Sequence, residues 1–305
     1  MIKRVIKIVL AGILIGAGVE LFARTILGLG SPPLTVAHPT IEYMFKPNQD
    51  VWRFHNHISY NEYGMRSPSP NGQHYDRMIM AFGDSVINGG NLTDNDDLAT
   101  TIASKELSQN GKKVFVGNIS AGSWGPGNIR AWIEEYGLFD ADSLIFVLSS
   151  HDFTDQPTFA PLDQTTHPTT APISAFVEAI QRYLPRYLPI SFLSPKPQPN
   201  PYFHEFTSRP PVPGKDDIKR IIELSEGKRI CLIQNRTIRE LRDGDEAGYA
   251  AIKGLFKATN AITLNLDEFF NLTSHRAIEY HRDNIHLNAL GQRALASAIL
   301  RCTKN

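Results

Sequence analysis

A hydroxyl, an imidazole and a carboxylate become a nucleophile, a base and an orienting acid once a fold brings them together. This chain offers one such set, split between two distant segments. In RMIMAFGDSV, residues 77 to 86, an apolar run from Met78 to Phe82 stops at Gly83 and delivers Asp84 and Ser85. In YHRDNIHLNALGQRALASAI, Asp283 and His286 form the only Asp-x-x-His of the sequence. A three-residue offset on a loop lets one carboxylate hold one ring nitrogen and leaves the other nitrogen to face a hydroxyl. Gly83 reads as the flexible residue that ends the strand sharply. Asp84 reads as a brace for that turn through backbone hydrogen bonds.

These residues need a scaffold. From residue 77 the chain alternates strand-like and helix-like segments, with candidate strands at Arg77–Phe82, Lys113–Ile119, Ser143–Leu148, Arg229–Ile233 and Ala261–Leu266. Between the first two, Leu98, Ala99, Ile102, Ala103 and Leu107 recur at helical spacing, and Asn110-Gly111 supplies a stop. Leu287, Leu290, Ala294 and Ala298 mark a last helix after His286. Such alternation predicts a parallel sheet covered on both faces. Residues 155 to 215 break the rhythm with many of the 20 prolines and one helix near Ile173–Tyr183. That insertion reads either as a lid or binding element or as a surface excursion. Residues 31 to 76 read as a lead-in with a short hairpin turning near Asn61 to Gly64.

Order and context together resemble the SGNH/GDSL hydrolase family: Gly-Asp-Ser ends the first core strand, and Asp-x-x-His precedes the last helix. The resemblance covers roughly residues 77 to 300, with the insertion outside the shared blocks. It implies a flavodoxin-like three-layer α/β/α sandwich with a five-stranded parallel sheet. By that resemblance Ser85 is the nucleophile, His286 the base and Asp283 its orienter. The family's second block puts an oxyanion glycine after the second strand. Here NISAGSWGPGN offers Gly122, Ser123 and Gly125, and by spacing from Asn118 the glycine's place falls on Ser123, with Gly122 one step earlier. The third block, Gly-x-Asn-Asp in the family, departs outright: it stands as Ser149-Ser150-His151-Asp152. His151 thus takes the place of the oxyanion asparagine, and a neutral imidazole N–H donates as an amide does. The bland alternative is that His151 only packs.

The rest of the chain sets the context. Lys+Arg and Asp+Glu are both 31, which argues against a nucleic-acid binder. The N-terminus opens with Lys3, Arg4 and Lys7, then runs apolar from Ile8 to Val19. Residues 1–30 therefore read as a membrane anchor with its basic end in the cytoplasm, or alternatively as a cleaved signal. The anchor is the reading adopted, with a catalytic domain over residues 77–305 in the periplasm of a bacterium and the helix in the inner membrane. Cys231 and Cys302 read as two free thiols, with one disulfide as the alternative in an extracytoplasmic domain. His55 and His57 share one face of an expected strand, read as solvated rather than metal-binding. His275 and His281 receive no role. No metal or organic cofactor is required.

The function expected is a serine esterase acting on acyl esters, most simply O-acetyl, of envelope or exported polysaccharide. Two alternatives stay open: an O-acetyltransferase using the same acyl-enzyme, and a non-catalytic polysaccharide-assembly protein on a decayed hydrolase fold. Protein partners are not written in the sequence.

Overall fold

The computed structural model describes residues 1–109, 111–207 and 213–304. An apolar helix, α1 (Ile2–Thr25), leads into two antiparallel strand pairs, β1 (Thr35–His38) with β2 (Glu42–Phe45) and β3 (Gln49–Arg53) with β4 (Asn56–Tyr60). Helix α1 is long and apolar enough to cross a membrane, and its most apolar stretch is unburied.

The core sheet consists of β5 (Arg77–Gly83), β6 (Val114–Ser120), β7 (Ser143–Ser149), β8 (Arg229–Asn235) and β9 (Ile262–Asn265). All pairings are parallel, in the order β6-β5-β7-β8-β9. That is the flavodoxin-like doubly wound arrangement. Every residue of β6 and β7 is buried, which is why β7 reads as an unbroken apolar run from Leu144 to Leu148, while β6 also buries Asn118 and Ser120.

The sheet's period of two divides the core. On β5 and β7, Met80, Phe82, Leu144 and Phe146 face one layer, formed by α4 (Pro126–Tyr136), α7 (Gly214–Leu224) and α9 (Ala247–Lys257). Ile79, Ala81, Ile145 and Val147 face the other, formed by α3 (Ala99–Leu107) and α10 (Ala289–Thr303). Phe82 stacks on Phe146 with ring centroids 5.4 Å apart, and burying each ring stabilises the fold by roughly 1.5–3 kcal/mol. Short helices complete the chain: α2 (Ser85–Asn88), α5 (Ala175–Glu178), α6 (Phe203–Thr207) and α8 (Ile238–Asp243).

The five expected strands are all present, with ends shifted by one or two residues. The helix expected near Ile173–Tyr183 begins at Ala175 and passes into a π-helical turn over Ala179–Tyr183. Asn110 and residues 208–212 of the insertion lie outside the described residues.

Four readings need correction. The lead-in holds two strand pairs, and the β3–β4 turn is made by Phe54 and His55, both at positive φ, rather than by Asn61 to Gly64. His55 therefore shares no strand face with His57: its Nε2 meets the Ile26 carbonyl at 3.0 Å, while His57 pairs with Asp50. Gly83 is the last residue of β5, not a flexible turn residue. Glycine is needed there because a Cβ would stand 2.7 Å from the Val147 carbonyl oxygen. Finally, Cys231 and Cys302 form a disulfide rather than two free thiols. Packing α10 across β8 brings their Cα atoms to 5.8 Å, a closeness that a sequence separation of 71 hides.

Candidate active site

Three loops at the carboxyl edge of the sheet carry the expected residues: Ser85 after β5, Gly122 and Ser123 after β6, His151 after β7. The strand order reverses around β5, and doubly wound sheets hold ligands in the crevice outside such a switch point.

Ser85 opens α2, so its N–H is one of the donors a helix start leaves without an intrahelical partner. Asp84 caps that start, its Oδ1 accepting from Val86 N at 2.8 Å, as its turn-bracing role requires. Neighbouring elements fix the turn. Gln292 on α10 donates to the Val86 carbonyl at 3.2 Å, and Asn88 donates to Ser120 at the end of β6. Beneath it, the buried Arg66 of the lead-in donates to the carbonyls of Asn88, Gly90 and Thr93, each at 2.6 Å. Sequence reasoning missed Arg66, because nothing in Tyr63-Gly64-Met65-Arg66 points 20 residues ahead.

Asp283 and His286 sit on the loop before α10. One carboxylate oxygen of Asp283 bends the loop, accepting from the N–H groups of Ile285 (3.0 Å) and His286 (2.8 Å). The other oxygen takes His286 Nδ1 at 2.7 Å, leaving Nε2 2.8 Å from Ser85 Oγ. Partial burial would raise the Asp283 pKa, but those two amides and the imidazole hold it below the usual carboxylate range. The carboxylate is thus kept charged beside the ring it orients. Arg282, also missed in the sequence, ties this loop to Ser85's helix, donating to the Gly89 carbonyl at 2.8 Å and to Thr93 Oγ1 at 3.1 Å.

The turn Ala121–Trp124 closes with a 3.4 Å bond from Trp124 N to the Ala121 carbonyl, which leaves the amides of Gly122 and Ser123 outside that bond. Ser123 has φ +61°, in the left-handed region that favours glycine, where spacing placed the glycine of the related block. His151, its side chain 45% exposed, presents Nε2 at 3.7 Å from Asp84 Oδ2 and 3.8 Å from Asp152 Oδ1. Burial, then the charge of Asp84, push Asp152 well above the usual carboxylate range. Asp152 Oδ2 accepts from Ser149 N at 2.7 Å, whereas its buried Oδ1 has no hydrogen-bond partner. Donor atoms of Asp84, His151 and Asp152 lie within 4.8 Å of one another, close enough to hold one metal ion.

A cleft of about 560 Å³ opens over Ser85 and His286. One wall is Phe54 with Gly89 to Leu92, and the other comes from the insertion: Thr165, Thr166, Arg182, Tyr183, Arg186 and Tyr187. A further insertion residue, His167, approaches the Gly122 turn, its ring edge-on to Tyr43 at 4.6 Å. The Pro-rich segment is a wall of the cleft rather than a surface excursion.

Fold and site together define a doubly wound α/β domain with a hydroxyl–imidazole–carboxylate array at its carboxyl edge. The fold is similar to that of a lipolytic G-D-S-L family member from Veillonella parvula (11% identity, TM-score 0.44, covering 74% of this chain and 97% of that one). It is also similar to a lipase/acylhydrolase from Enterococcus faecalis (15%, 0.44, 74% and 94%) and to a family 3 carbohydrate esterase from Clostridium thermocellum (13%, 0.42, 75% and 99%). No protein-family model and no curated protein matches the chain.

Proposed function

We propose that the protein is a serine ester hydrolase of the SGNH type, with Ser85 as nucleophile, His286 as base and Asp283 as its orienting acid. The observation that carries this reading is the continuous run of short contacts, 2.8 Å from Ser85 Oγ to His286 Nε2 and 2.7 Å from His286 Nδ1 to Asp283 Oδ2. Ser85 Oγ attacks the ester carbonyl carbon as its proton passes to Nε2. The tetrahedral oxyanion is held by the N–H groups of Ser85 and of the Gly122–Ser123 turn, with the His151 ring as a further donor. Collapse expels the alkoxide, which takes the proton from the imidazolium and leaves Ser85 acylated. Water then repeats the sequence, giving its proton to Nε2 and releasing the acid, and the proton returns to Ser85.

The substrate in this reading is an O-acyl ester, most simply O-acetyl, on envelope or exported polysaccharide, and the domain works in the periplasm behind an inner-membrane anchor. The basic residues Lys3, Arg4 and Lys7 at the start of α1 support that orientation, and the Cys231–Cys302 disulfide supports an oxidising compartment. The test is release of acetate by the full-length protein in detergent from p-nitrophenyl acetate and from an acetylated glycan, with and without an added sugar acceptor. Acetate release independent of acceptor supports the hydrolase. Acetyl transfer to the added sugar would replace it with an acyltransferase.

A further inference from the structure

The end of α1 packs against residues that line the cleft: Ala23 and Leu29 cluster with Ala175, Phe54 and Tyr183. The Glu20 carboxylate accepts from the N–H groups of Ala175 and Phe176, each at 3.0 Å, and pairs with Arg24 at 2.7 Å. Ten residues on, past the end of the helix, Gly30 N donates to Glu178 Oε2 at 2.7 Å, and the buried Arg53 grips both Glu178 oxygens at 2.9 and 2.7 Å. On the other wall, Phe54 N donates to the Gly28 carbonyl at 3.0 Å. Both cleft walls, Phe54 and the Arg182–Tyr187 end of the insertion, are therefore fastened to the last residues of the anchor.

Counting about 20 residues from Val5 for a hydrocarbon core of ~30 Å puts Arg24 at the outer edge of that core and Glu20 about one turn, ~6 Å, beneath it. Ala175 and Phe176, bonded to Glu20, lie at the same level. Large apolar side chains of this segment are exposed: Ile173 is 94% exposed, Tyr187 83% and Phe192 80%. Phe22 and Ile26 of the anchor end are exposed as well. Such a set is costly in water and suits the interfacial layer, where aromatic rings and arginines concentrate. From Ala175 to Tyr187 the helical run covers only about 18 Å at ~1.5 Å per residue.

We propose that the Ile173–Phe192 face lies in the headgroup layer of the bilayer that α1 crosses, and that the ester cleaved at Ser85 belongs to a membrane-bound amphiphile. This rests on the esterase reading and narrows its substrate from free polysaccharide to a glycan ester carried on a lipid. The mouth of the cleft, lined by Tyr183, Arg186 and Tyr187, then opens at the height where such a molecule presents its polar group. A freely diffusing ester gains nothing from this placement.

The test uses the full chain in phosphatidylcholine/phosphatidylglycerol vesicles. Because both native cysteines are in the disulfide, Ile173→Cys, Phe192→Cys or Glu226→Cys gives a unique site for a nitroxide. Glu226 is exposed in the turn before β8, at the opposite end of the strands. Labels at Ile173 and Phe192 are expected to collide with oxygen more than with a water-soluble nickel complex, and the Glu226 label the reverse. In parallel, 6-O-acetylated dodecyl glucoside in the vesicles is compared with 6-O-acetylated methyl glucoside in solution. A preference for the lipid-borne ester of about 10-fold is expected, lost in Ile173→Asp/Phe192→Asp while the soluble rate stands. Labels equally open to water at all three positions, or shielded from both colliders by a protein contact, overturn the placement. Equal rates on the two esters overturn the amphiphile. Lipid-depth labels with neither ester cleaved would leave the placement standing and defeat the esterase reading beneath the substrate claim.

Discussion

His286 Nε2 lies 2.8 Å from Ser85 Oγ, across 201 positions of sequence. Asp283 does two jobs in that contact, since one oxygen shapes the loop and the other fixes the ring. The imidazole is therefore aimed before any substrate arrives, as an activated serine requires.

His151 separates two accounts of the altered block. As an oxyanion donor it acts only while charge develops, so His151→Ala should lower kcat by about 10²–10³ with a smaller effect on KM. His151→Asn should recover part of that loss by supplying an amide donor. If the half-exposed ring only packs beside Asp84 and Asp152, the alanine variant loses thermal stability and keeps its kcat. Measuring kcat and Tm on the same three proteins decides between these outcomes.

Asp152 should leave a mark on the pH dependence of stability. Its folded pKa is raised, by burial first and by Asp84 second. Its contribution is thus fully present below the unfolded value of about 3.9 and lost as pH rises from there through the raised folded value. Asp152→Asn cannot ionise and keeps an oxygen for Ser149 N. The Tm difference, variant minus wild type, should therefore grow between pH 4 and pH 8 in calorimetric scans. A difference constant with pH would show that Asp152 titrates normally.

The sheet and the positions of Ser85, Asp283 and His286 were legible because local patterns encode them: unbroken apolar runs for strands buried on both faces, and short motifs at element ends. What stayed hidden depends on contacts distant in sequence. Arg66 and Arg282 are ordinary arginines until folding places carbonyls around them. The cysteine pair needed the packing of α10 on β8. Gly83 was found for the wrong reason, since a close strand neighbour, Val147, leaves no trace in its own segment. The insertion's two readings could be separated only once Arg182 to Tyr187 were seen beside Ser85.

Reducing the disulfide should be felt throughout the domain. Closing a 71-residue separation restricts the unfolded chain by roughly 4 kcal/mol in the chain-entropy treatment. Cys231→Ala/Cys302→Ala should lower the denaturant midpoint accordingly, and reductant should lower that of the wild type but not of the variant. An unchanged midpoint in the double variant would mean the link adds no stability.

The most direct measurement is mass spectrometry of the protein after exposure to a serine-reactive phosphonate, paired with acetyl-ester hydrolysis. One adduct on the peptide bearing Ser85 is expected, absent in Ser85→Ala and strongly slowed in His286→Ala. Hydrolysis should fall on the order of 10⁵–10⁶-fold in Ser85→Ala with the fold intact by circular dichroism. Wild-type hydrolysis by Ser85→Ala, or a single adduct on a different serine, would contradict the account.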